Sequence, residues 1–177
     1  MKVELLQTGG FDSDLLASEV LYFRDAYLDQ TQFSVTSILG DDNFTEGCGT
    51  TKEAESYTKL NPRFHNTSIS KLVSEFPEYY RWRILCVPPR KTYSVHRDGY
   101  REGYLNKRIH IPVVSNPEAF LCFYEHRPRG NGAQRVEYHN LKVGEIYEVN
   151  TTMWHTAVNY DQTHERIHIV AEKYIKE

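Results

Sequence analysis

The feature that most constrains the fold is a series of short alternating segments that fills the chain from Tyr79 onward. These segments are rich in β-branched and aromatic residues and are separated by Pro, Gly, Asn and Asp, which is typical of short strands joined by turns. They are YRWRILCV, RIHIPVV, AFLCFYEH, RVEYHNL, GEIYEVN, MWHTAVN and RIHIVAEKYI. So many short strands within about 100 residues predict a barrel or a jelly roll.

The part of the chain before these segments predicts helices and irregular structure. Asp12 or Ser13 can cap a first helix, which has apolar residues at a helical spacing. Those apolar residues are Leu16, Val20, Phe23 and Tyr27. A second helix is predicted from about Ser70 to Phe76, because Pro77 cannot continue it. Both helices would cover one outer face of the strands.

The predicted fold is therefore mainly β with N-terminal helices, a double-stranded β-helix of the jelly-roll, cupin-like kind. We predict a single domain over residues 1–177, because the chain has no convincing linker and no repeat. Residues 1–78 would form a helical and irregular cover, and residues 79–177 the jelly-roll core. The polar, turn-rich segments 40–66 and 125–135 are interpreted as loops that could act as lids.

Charge and cysteine content exclude several classes of protein. A net charge of −3 argues against a dedicated nucleic-acid binder, which is normally basic. No apolar run is long enough for a signal peptide or a membrane span, so we predict a cytoplasmic protein with no membrane association. Cys48, Cys86 and Cys122 are odd in number and widely spaced, which indicates reduced thiols rather than a disulfide framework.

Polar residues occur in pairs two positions apart within the strand-like segments. His96 pairs in this way with Asp98, Arg108 with His110, and Arg166 with His168, so each pair shares one strand face. One interpretation is a half-exposed strand with polar residues toward water. The other is a jelly roll whose apolar outer face lies under helices, so that the polar pairs line an inner cavity and need an anionic partner.

A metal site is a separate hypothesis that depends on three of the histidine and aspartate residues. His96 and Asp98 form a His-x-Asp pair, and His155 follows His96 by 59 residues. Two imidazoles and one carboxylate on one side of an ion match the facial triad of non-haem Fe(II) oxygenases. Arg166 follows His155 by 11 residues, on what should be the next strand.

Four ordered motifs in residues 80 to 175 resemble the 2-oxoglutarate/Fe(II)-dependent aspartyl/asparaginyl β-hydroxylase superfamily, which includes free-proline hydroxylases. The motifs are VPPRKTYSVHRDG, KRIHIPV, GEIYEVNTTMWHTAVN and RIHIVAE. The resemblance implies that His96, Asp98 and His155 bind Fe(II) and that Arg166 pairs with the distal carboxylate of 2-oxoglutarate. It also implies that Arg108 and His110 help to hold this cosubstrate, which reacts with O2.

One departure from the family pattern limits what the resemblance implies about the substrate. The peptidyl-aspartyl enzymes have glycine at the position of Asp98, so the site is more similar to that of the free-amino-acid hydroxylases. Related halogenases lack this carboxylate, which argues against halogenation. Tyr93 and His168 are further candidates for cosubstrate contact, although a structural role for His168 is the stronger alternative. Arg81, Arg83 and Arg97 are candidates for binding a substrate carboxylate or phosphate.

The sequence thus predicts a dioxygenase that hydroxylates an amino acid, either a small molecule such as proline or a peptidyl residue. One alternative is a metal-dependent cupin enzyme of another type, which leaves the position of Arg166 unexplained. A second is a non-catalytic jelly-roll binding module, in which His96 and His155 are structural. A nucleic-acid demethylase is a fourth possibility, disfavoured by the net charge.

Overall fold

The computed structural model of the protein describes residues 1–26, 30–49, 54–99, 102–128 and 134–176. Its strands in chain order are β1 (Val3–Thr8), β2 (Gln32–Ser34), β3 (Thr36–Ser37), β4 (Lys59–Leu60), β5 (Tyr80–Val87), β6 (Lys91–Thr92), β7 (Tyr104–Val114), β8 (Ala119–Tyr124), β9 (Val136–His139), β10 (Glu145–Asn150), β11 (Trp154–Asn159) and β12 (Arg166–Lys176). Its helices are α1 (Ser13–Asp25) and α2 (Ser68–Glu75), with short 3-10 turns at Ala54–Ser56 and Pro62–Phe64. The described chain is therefore mainly β.

The strands form two main antiparallel sheets. The larger sheet has the order β1-β10-β7-β12-β5-β2, and the smaller one has the order β6-β11-β8-β9. Strands β3 and β4 pair separately. Each of the seven segments predicted as strands contains an observed strand, so that prediction is confirmed. This arrangement of antiparallel sheets is compatible with a jelly roll.

The N-terminal part of the chain contributes strands as well as helices, which the sequence did not indicate. Strand β1 pairs with β10 and strand β2 pairs with β5, so they form the two edges of the larger sheet. The sheet therefore crosses the predicted division between residues 78 and 79. Edge strands gain much of their order from main-chain pairing, and β1 keeps most of its side chains exposed, so its hydrophobic pattern is weak.

The two faces of the larger sheet differ in chemistry. On the outer face, Ile109, Ile111, Ile167 and Ile169 belong to one buried cluster with Leu16 and Val20 of α1. On the inner face, the alternate residues are polar and are nevertheless buried, among them Arg108, His110, Arg166 and His168. A second apolar cluster joins the inner faces of both sheets and contains Val87, Leu121, Phe123, Tyr147, Val149 and Ala157. The polar residues thus lie inside the protein, not on a half-exposed strand.

Both predicted helices exist, with small differences in their ends. Asp12 caps α1, since its carboxylate accepts hydrogen bonds from the amides of Asp14 and Leu15. Helix α2 begins at Ser68 rather than Ser70, because Thr67 provides the N-cap. Tyr27, the last residue of the predicted apolar stripe, lies outside the described residues.

The segment 40–66 is only partly the surface excursion that its polarity predicts. Phe44 and Phe64 are buried in the outer apolar cluster, where their rings lie 5.8 Å apart in an edge-to-face contact. Ala54 is also buried. These apolar anchors attach the segment to the sheet at several points. The predicted loop 125–135 lies partly outside the described residues.

Candidate metal centre

The structure brings His96, Asp98 and His155 together, as the sequence predicts. Nε2 of His96 lies 3.3 Å from Oδ1 of Asp98, and Nε2 of His155 lies 3.5 Å from Oδ2 of Asp98. One ligand atom from each residue lies within 4.8 Å of the others. Two ligands at right angles on an ion with bonds of about 2.1 Å are about 3 Å apart. The two separations between histidine and aspartate are therefore close to those that a facial set of metal ligands requires.

The backbone fixes the relative positions of these three residues. His155 belongs to β11, and His96 pairs with it through an isolated antiparallel bridge, with N–H to O distances of 3.0 and 2.9 Å in the two directions. The amide of Asp98 donates to the carbonyl of Thr151, at 3.0 Å. Because residues two apart on an extended segment face the same way, His96 and Asp98 both point toward His155.

Both imidazole rings are oriented by the same kind of hydrogen bond. Nδ1 of His96 lies 2.7 Å from the carbonyl oxygen of Ser94, and Nδ1 of His155 lies 2.9 Å from that of Met153. A carbonyl can only accept, so each Nδ1 carries the proton and each Nε2 offers a lone pair. This tautomer, held by a backbone carbonyl, is the usual arrangement for a histidine that binds a metal.

Asp98 is an ionised carboxylate in a partly buried position. Burial by itself would raise its pKa, but the charge of Arg108 and the hydrogen bonds that His155 and His96 donate when their rings are doubly protonated outweigh that effect and hold the pKa well below its usual range. Oδ2 of Asp98 lies 2.8 Å from Nη2 of Arg108. The hydrogen bond that the protonated ring of His96 donates to Asp98 raises the pKa of His96 in turn. The chain therefore keeps a negative charge between the two histidines.

A cavity of about 440 Å³ opens beside the three residues. Three of the buried polar side-chain atoms that have no partner among the described residues are guanidinium nitrogens of residues that line this cavity. Those three atoms are Nε and Nη2 of Arg83 and Nε of Arg108. Buried polar groups are normally paired, so this concentration of unpaired atoms indicates a place where a ligand binds.

Arg166 lies at the start of β12 and lines the same cavity. The residue is 2% exposed, and no carboxylate in the described part of the chain forms an ion pair with its guanidinium. Burial lowers its pKa to about 10, which leaves it charged at neutral pH. A buried guanidinium of this kind needs an anion, and its planar fork matches the two oxygens of a carboxylate.

His168 and His110 form a neutral polar pair next to Arg166. Burial and the charge of Arg166 hold the pKa of both imidazoles well below the usual value. Arginine can only donate, so Nη2 of Arg166 donates to Nδ1 of His168, at 3.1 Å. Nδ1 of His110 lies 3.4 Å from the same nitrogen of His168. His168 therefore orients Arg166 without adding charge, and its Nε2 has no partner among the described residues.

Arg108 contacts two carboxylates of the chain through one nitrogen: Nη2 lies 2.8 Å from Asp98 and 3.9 Å from Glu172. Its Nε has no partner among the described residues, and the contact with the cosubstrate that the family resemblance implies stays a prediction. Glu172 also binds Arg81 Nη1 at 2.6 Å and Asn106 Nδ2 at 3.0 Å. Sequence reasoning missed Glu172. The signal for it was available, because it continues the same face of β12 as Arg166 and His168.

Tyr93 and Asn159 take structural positions at the edge of the centre. The hydroxyl of Tyr93 donates to the carbonyl of Cys86 at 3.0 Å, while its ring lines the cavity. The side-chain amide of Asn159 donates to the carbonyls of Val87 and His164, at 3.0 and 2.8 Å. Asn159 therefore ties the end of β11 to the turn that leads into β12 and Arg166.

No family model and no curated protein matches the sequence. Several solved structures share the fold. HygX from Streptomyces hygroscopicus, in a structure with nickel and 2-oxoglutarate bound, has a TM-score of 0.59 and 8% identity over 98% of this chain and 82% of its own. AviO1 from Streptomyces viridochromogenes Tue57 has a TM-score of 0.55 and 12% identity, over 99% of this chain and 90% of its own. SnoN, a non-haem α-ketoglutarate-dependent epimerase from nogalamycin biosynthesis, has a TM-score of 0.53 and 13% identity, over 96% and 76%.

The fold is thus one that non-haem 2-oxoglutarate-dependent enzymes adopt. None of these three structures is described as an aspartyl/asparaginyl hydroxylase. The resemblance to that superfamily therefore depends on the sequence motifs alone. The described helices include none that is long and apolar enough to cross a membrane.

Proposed function

We propose that the protein is a non-haem 2-oxoglutarate- and Fe(II)-dependent oxygenase that hydroxylates an amino acid, either free, such as proline, or peptidyl. The observation that carries the proposal is the convergence of His96, Asp98 and His155 in one cavity with the buried guanidinium of Arg166. Two imidazoles and a carboxylate beside an arginine that has no carboxylate partner among the described residues fit a metal and a dicarboxylic cosubstrate. The fold shared with HygX supports this assignment.

His96, Asp98 and His155 would hold the metal through two neutral imidazoles and one carboxylate. When bound there, Fe(II) supplies the redox chemistry by which O2 converts 2-oxoglutarate into succinate and CO2 and oxidises a C–H bond of the substrate. Arg108 keeps Asp98 ionised and in place. Because affinity of such a site is not exclusive to iron, nickel or manganese can also bind.

Arg166 would bind the distal carboxylate of 2-oxoglutarate. The hydrogen bond to His168 fixes one side of its guanidinium, so the rest of the fork is oriented before the cosubstrate arrives. A neutral His168 and a neutral His110 leave the positive charge of Arg166 undiminished. The apolar residues Leu121 and Ala157 line the same cavity and limit the access of water.

An assay of turnover tests the proposal. The protein is supplied with Fe(II), 2-oxoglutarate and air, together with free amino acids or with short peptides that contain Asp, Asn or Pro. Succinate release and product mass are measured together. We expect succinate in a one-to-one ratio with a product that gains one oxygen atom, and loss of both signals in His155→Ala and Arg166→Ala.

Three other results would contradict parts of the proposal. An isomeric product with no added oxygen would indicate an outcome like that of SnoN, which is described as an epimerase. Metal binding without consumption of 2-oxoglutarate would favour a cupin enzyme of another type. A protein that binds no metal would favour the binding module.

A further inference from the structure

Three arginines that the sequence offers for substrate binding line the cavity, and their settings differ. The donors of Arg81 are occupied: Nε binds the carbonyl of Gly47 at 2.8 Å, Nη1 binds Glu172, and Nη2 binds the carbonyl of Gly49. Arg97 is exposed and stacks on Trp154, with 5.2 Å from its guanidinium carbon to the ring centre. Neither Arg81 nor Arg97 has a free donor edge inside the protein. Arg83 is therefore the remaining candidate for binding a substrate anion.

Arg83 is buried and has most of its hydrogen-bonding capacity unused. Arg83 lies on the inner face of β5 and is 4% exposed. Nη1 donates to Oε1 of Gln32 at 3.2 Å, while Nε and Nη2 have no partner in the described part of the chain. These two nitrogens form one edge of the planar guanidinium, the edge that can donate two parallel hydrogen bonds to a carboxylate.

The charge of the cavity also leaves Arg83 without compensation. Four buried guanidinium groups line it, those of Arg81, Arg83, Arg108 and Arg166, and among the described lining residues only Asp98 and Glu172 carry a carboxylate. The excess is two positive charges. A divalent metal and doubly charged 2-oxoglutarate would cancel each other, so the excess would persist after both have bound. Burial of uncompensated charge is unfavourable, and a third ligand with negative charge would relieve it.

We propose that Arg83 determines substrate specificity by binding a carboxylate of the substrate through its Nε and Nη2 edge. The inference rests on the proposed function, because Fe(II) and 2-oxoglutarate are taken to occupy the rest of the cavity. The inference means that the substrate is a carboxylic acid. The carboxylate that Arg83 binds would be the α-carboxylate of a free amino acid or the side chain of a peptidyl aspartate. Gln32 acts as a positioning residue, since it holds Nη1 and accepts a second hydrogen bond from the amide of Gly49 at 3.3 Å.

Matched carboxylate and amide probes test this inference. The protein is loaded anaerobically with Ni(II) and saturating 2-oxoglutarate, and each probe is titrated by calorimetry. The pairs are acetate with acetamide, L-proline with L-prolinamide, and N-acetyl-aspartate methylamide with N-acetyl-asparagine methylamide. For at least one pair we expect the carboxylate to bind about 10-fold or more tightly than the amide, because a charge-assisted bidentate pair is lost in the amide.

Three variants make the test specific. Arg83→Gln should abolish the preference for the carboxylate, and Arg83→Lys should restore only part of it, because lysine keeps the charge but not the fork. Arg97→Gln removes the same charge from the cavity mouth and should change the preference by less than about 3-fold, because exposed charges are screened by solvent. Affinity for 2-oxoglutarate should be unchanged in Arg83→Gln, and the unfolding temperature should not fall, since the lost side chain makes one hydrogen bond to the described residues.

Several results would overturn the inference. The first is equal binding of acid and amide in every pair, and the second is a preference for the acid that persists in Arg83→Gln. The third is a loss of 2-oxoglutarate affinity in Arg83→Gln, which would mean that Arg83 binds the cosubstrate. If the wild type binds neither Ni(II) nor 2-oxoglutarate, the proposed function fails. In that case the acid and amide probes are titrated into the metal-free protein. A preference for the carboxylate that is lost in Arg83→Gln would still support the inference about Arg83. Equal binding of acid and amide, or a preference that does not depend on Arg83, would contradict it.

Discussion

Two clusters of charged residues lie on opposite faces of the same strands, and they are built differently. On β7 the neighbours Lys107 and Arg108 point to the outer and the inner face, and on β12 Lys173 and Glu172 do the same. The outer cluster centres on the carboxylate of Glu148. The inner cluster lines the cavity. The two sets of residues share a backbone, so the difference between them arises from their partners.

In the outer cluster every charge has a partner. Glu148 accepts hydrogen bonds from Tyr79 at 2.6 Å, Lys107 at 2.9 Å and Lys173 at 2.6 Å. Burial alone would raise the pKa of Glu148, but these donors lower it to about 2. Three donors, two of them charged, use most of the hydrogen-bonding capacity of this carboxylate and compensate its charge. The outer cluster therefore links β10, β7 and β12, and this structural role accounts for its contacts.

In the inner cluster, guanidinium groups outnumber carboxylates and several donors remain unpaired. Such an arrangement costs stability unless a ligand completes it. The comparison teaches that burial of charge does not by itself indicate a functional site. The inner face differs from the outer face in its buried polar atoms that have no partner in the described part of the chain.

The largest expected effect is the loss of metal binding in His155→Ala. Removal of one of three protein ligands should weaken Mn(II) binding at least about 100-fold, more than the 10- to 100-fold typical of outer-shell changes. Glu148→Gln, on the outer face, should bind Mn(II) as the wild type does. Calorimetry with Mn(II) measures both variants. Equal weakening in the two would mean that the outer cluster, too, supports the metal site.

The next effect concerns stability and separates the two carboxylates. Glu172→Gln should lower the free energy of unfolding by about 3 kcal/mol, because it leaves Arg81 and Arg108 with less compensation in a buried site. Glu148→Gln should cost less at pH 7, since Lys107 and Lys173 retain some exposure to water. Urea unfolding of both variants tests this order. A larger loss in Glu148→Gln would contradict the assigned charge imbalance.

A smaller effect is expected for Arg166→Lys. This change keeps the charge but removes the fork, so 2-oxoglutarate affinity should fall about 10- to 100-fold while Mn(II) affinity stays constant. Titration of the Mn(II)-loaded protein with 2-oxoglutarate measures the change. Arg97→Lys is the matched control at the cavity mouth. Unaltered 2-oxoglutarate binding in Arg166→Lys would remove Arg166 from the cosubstrate site.

The smallest effect is a pH dependence that belongs to the outer cluster. The pKa of Glu148 is lowered in the folded protein, so its contribution to stability is present above the unfolded value of 4.5 and is lost as the pH falls toward about 2. The loss should amount to about 1 to 2 kcal/mol. Glu148→Gln should show a shallower decline in this window. Parallel profiles for wild type and variant would exclude Glu148 as the cause.

The sequence predicts the site better than it predicts the edges of the fold. The convergence of the motif residues His96, Asp98, His155 and Arg166 on one cavity could be predicted because the motif has fixed residue types at fixed spacings, and the alternation of β7 and β12 indicates which residues share a face. Strands β1 and β2 could not be found, because main-chain pairing with β10 and β5 rather than their own side-chain pattern makes them strands.

The hydrogen-bond partners of each polar residue also could not be predicted from the sequence. Arg81 and Arg83 have the same type and the same strand face, yet one is saturated by Gly47, Gly49 and Glu172 and the other keeps a free edge. That difference depends on where the segment before residue 50 packs. Likewise, the pairing of Arg108 with Asp98 joins residues whose contact only the folded chain creates.

The measurement that tests the central claim most directly is an anaerobic titration of the metal-free protein with Fe(II) and then 2-oxoglutarate. It follows the visible charge-transfer band that forms only when a 2-oxo acid chelates the metal. We predict that the band forms in the wild type, is absent in His155→Ala, and needs far more 2-oxoglutarate in Arg166→Ala. A wild-type protein that binds Fe(II) and 2-oxoglutarate without the band, or a band that persists in His155→Ala, would contradict the assignment of this site.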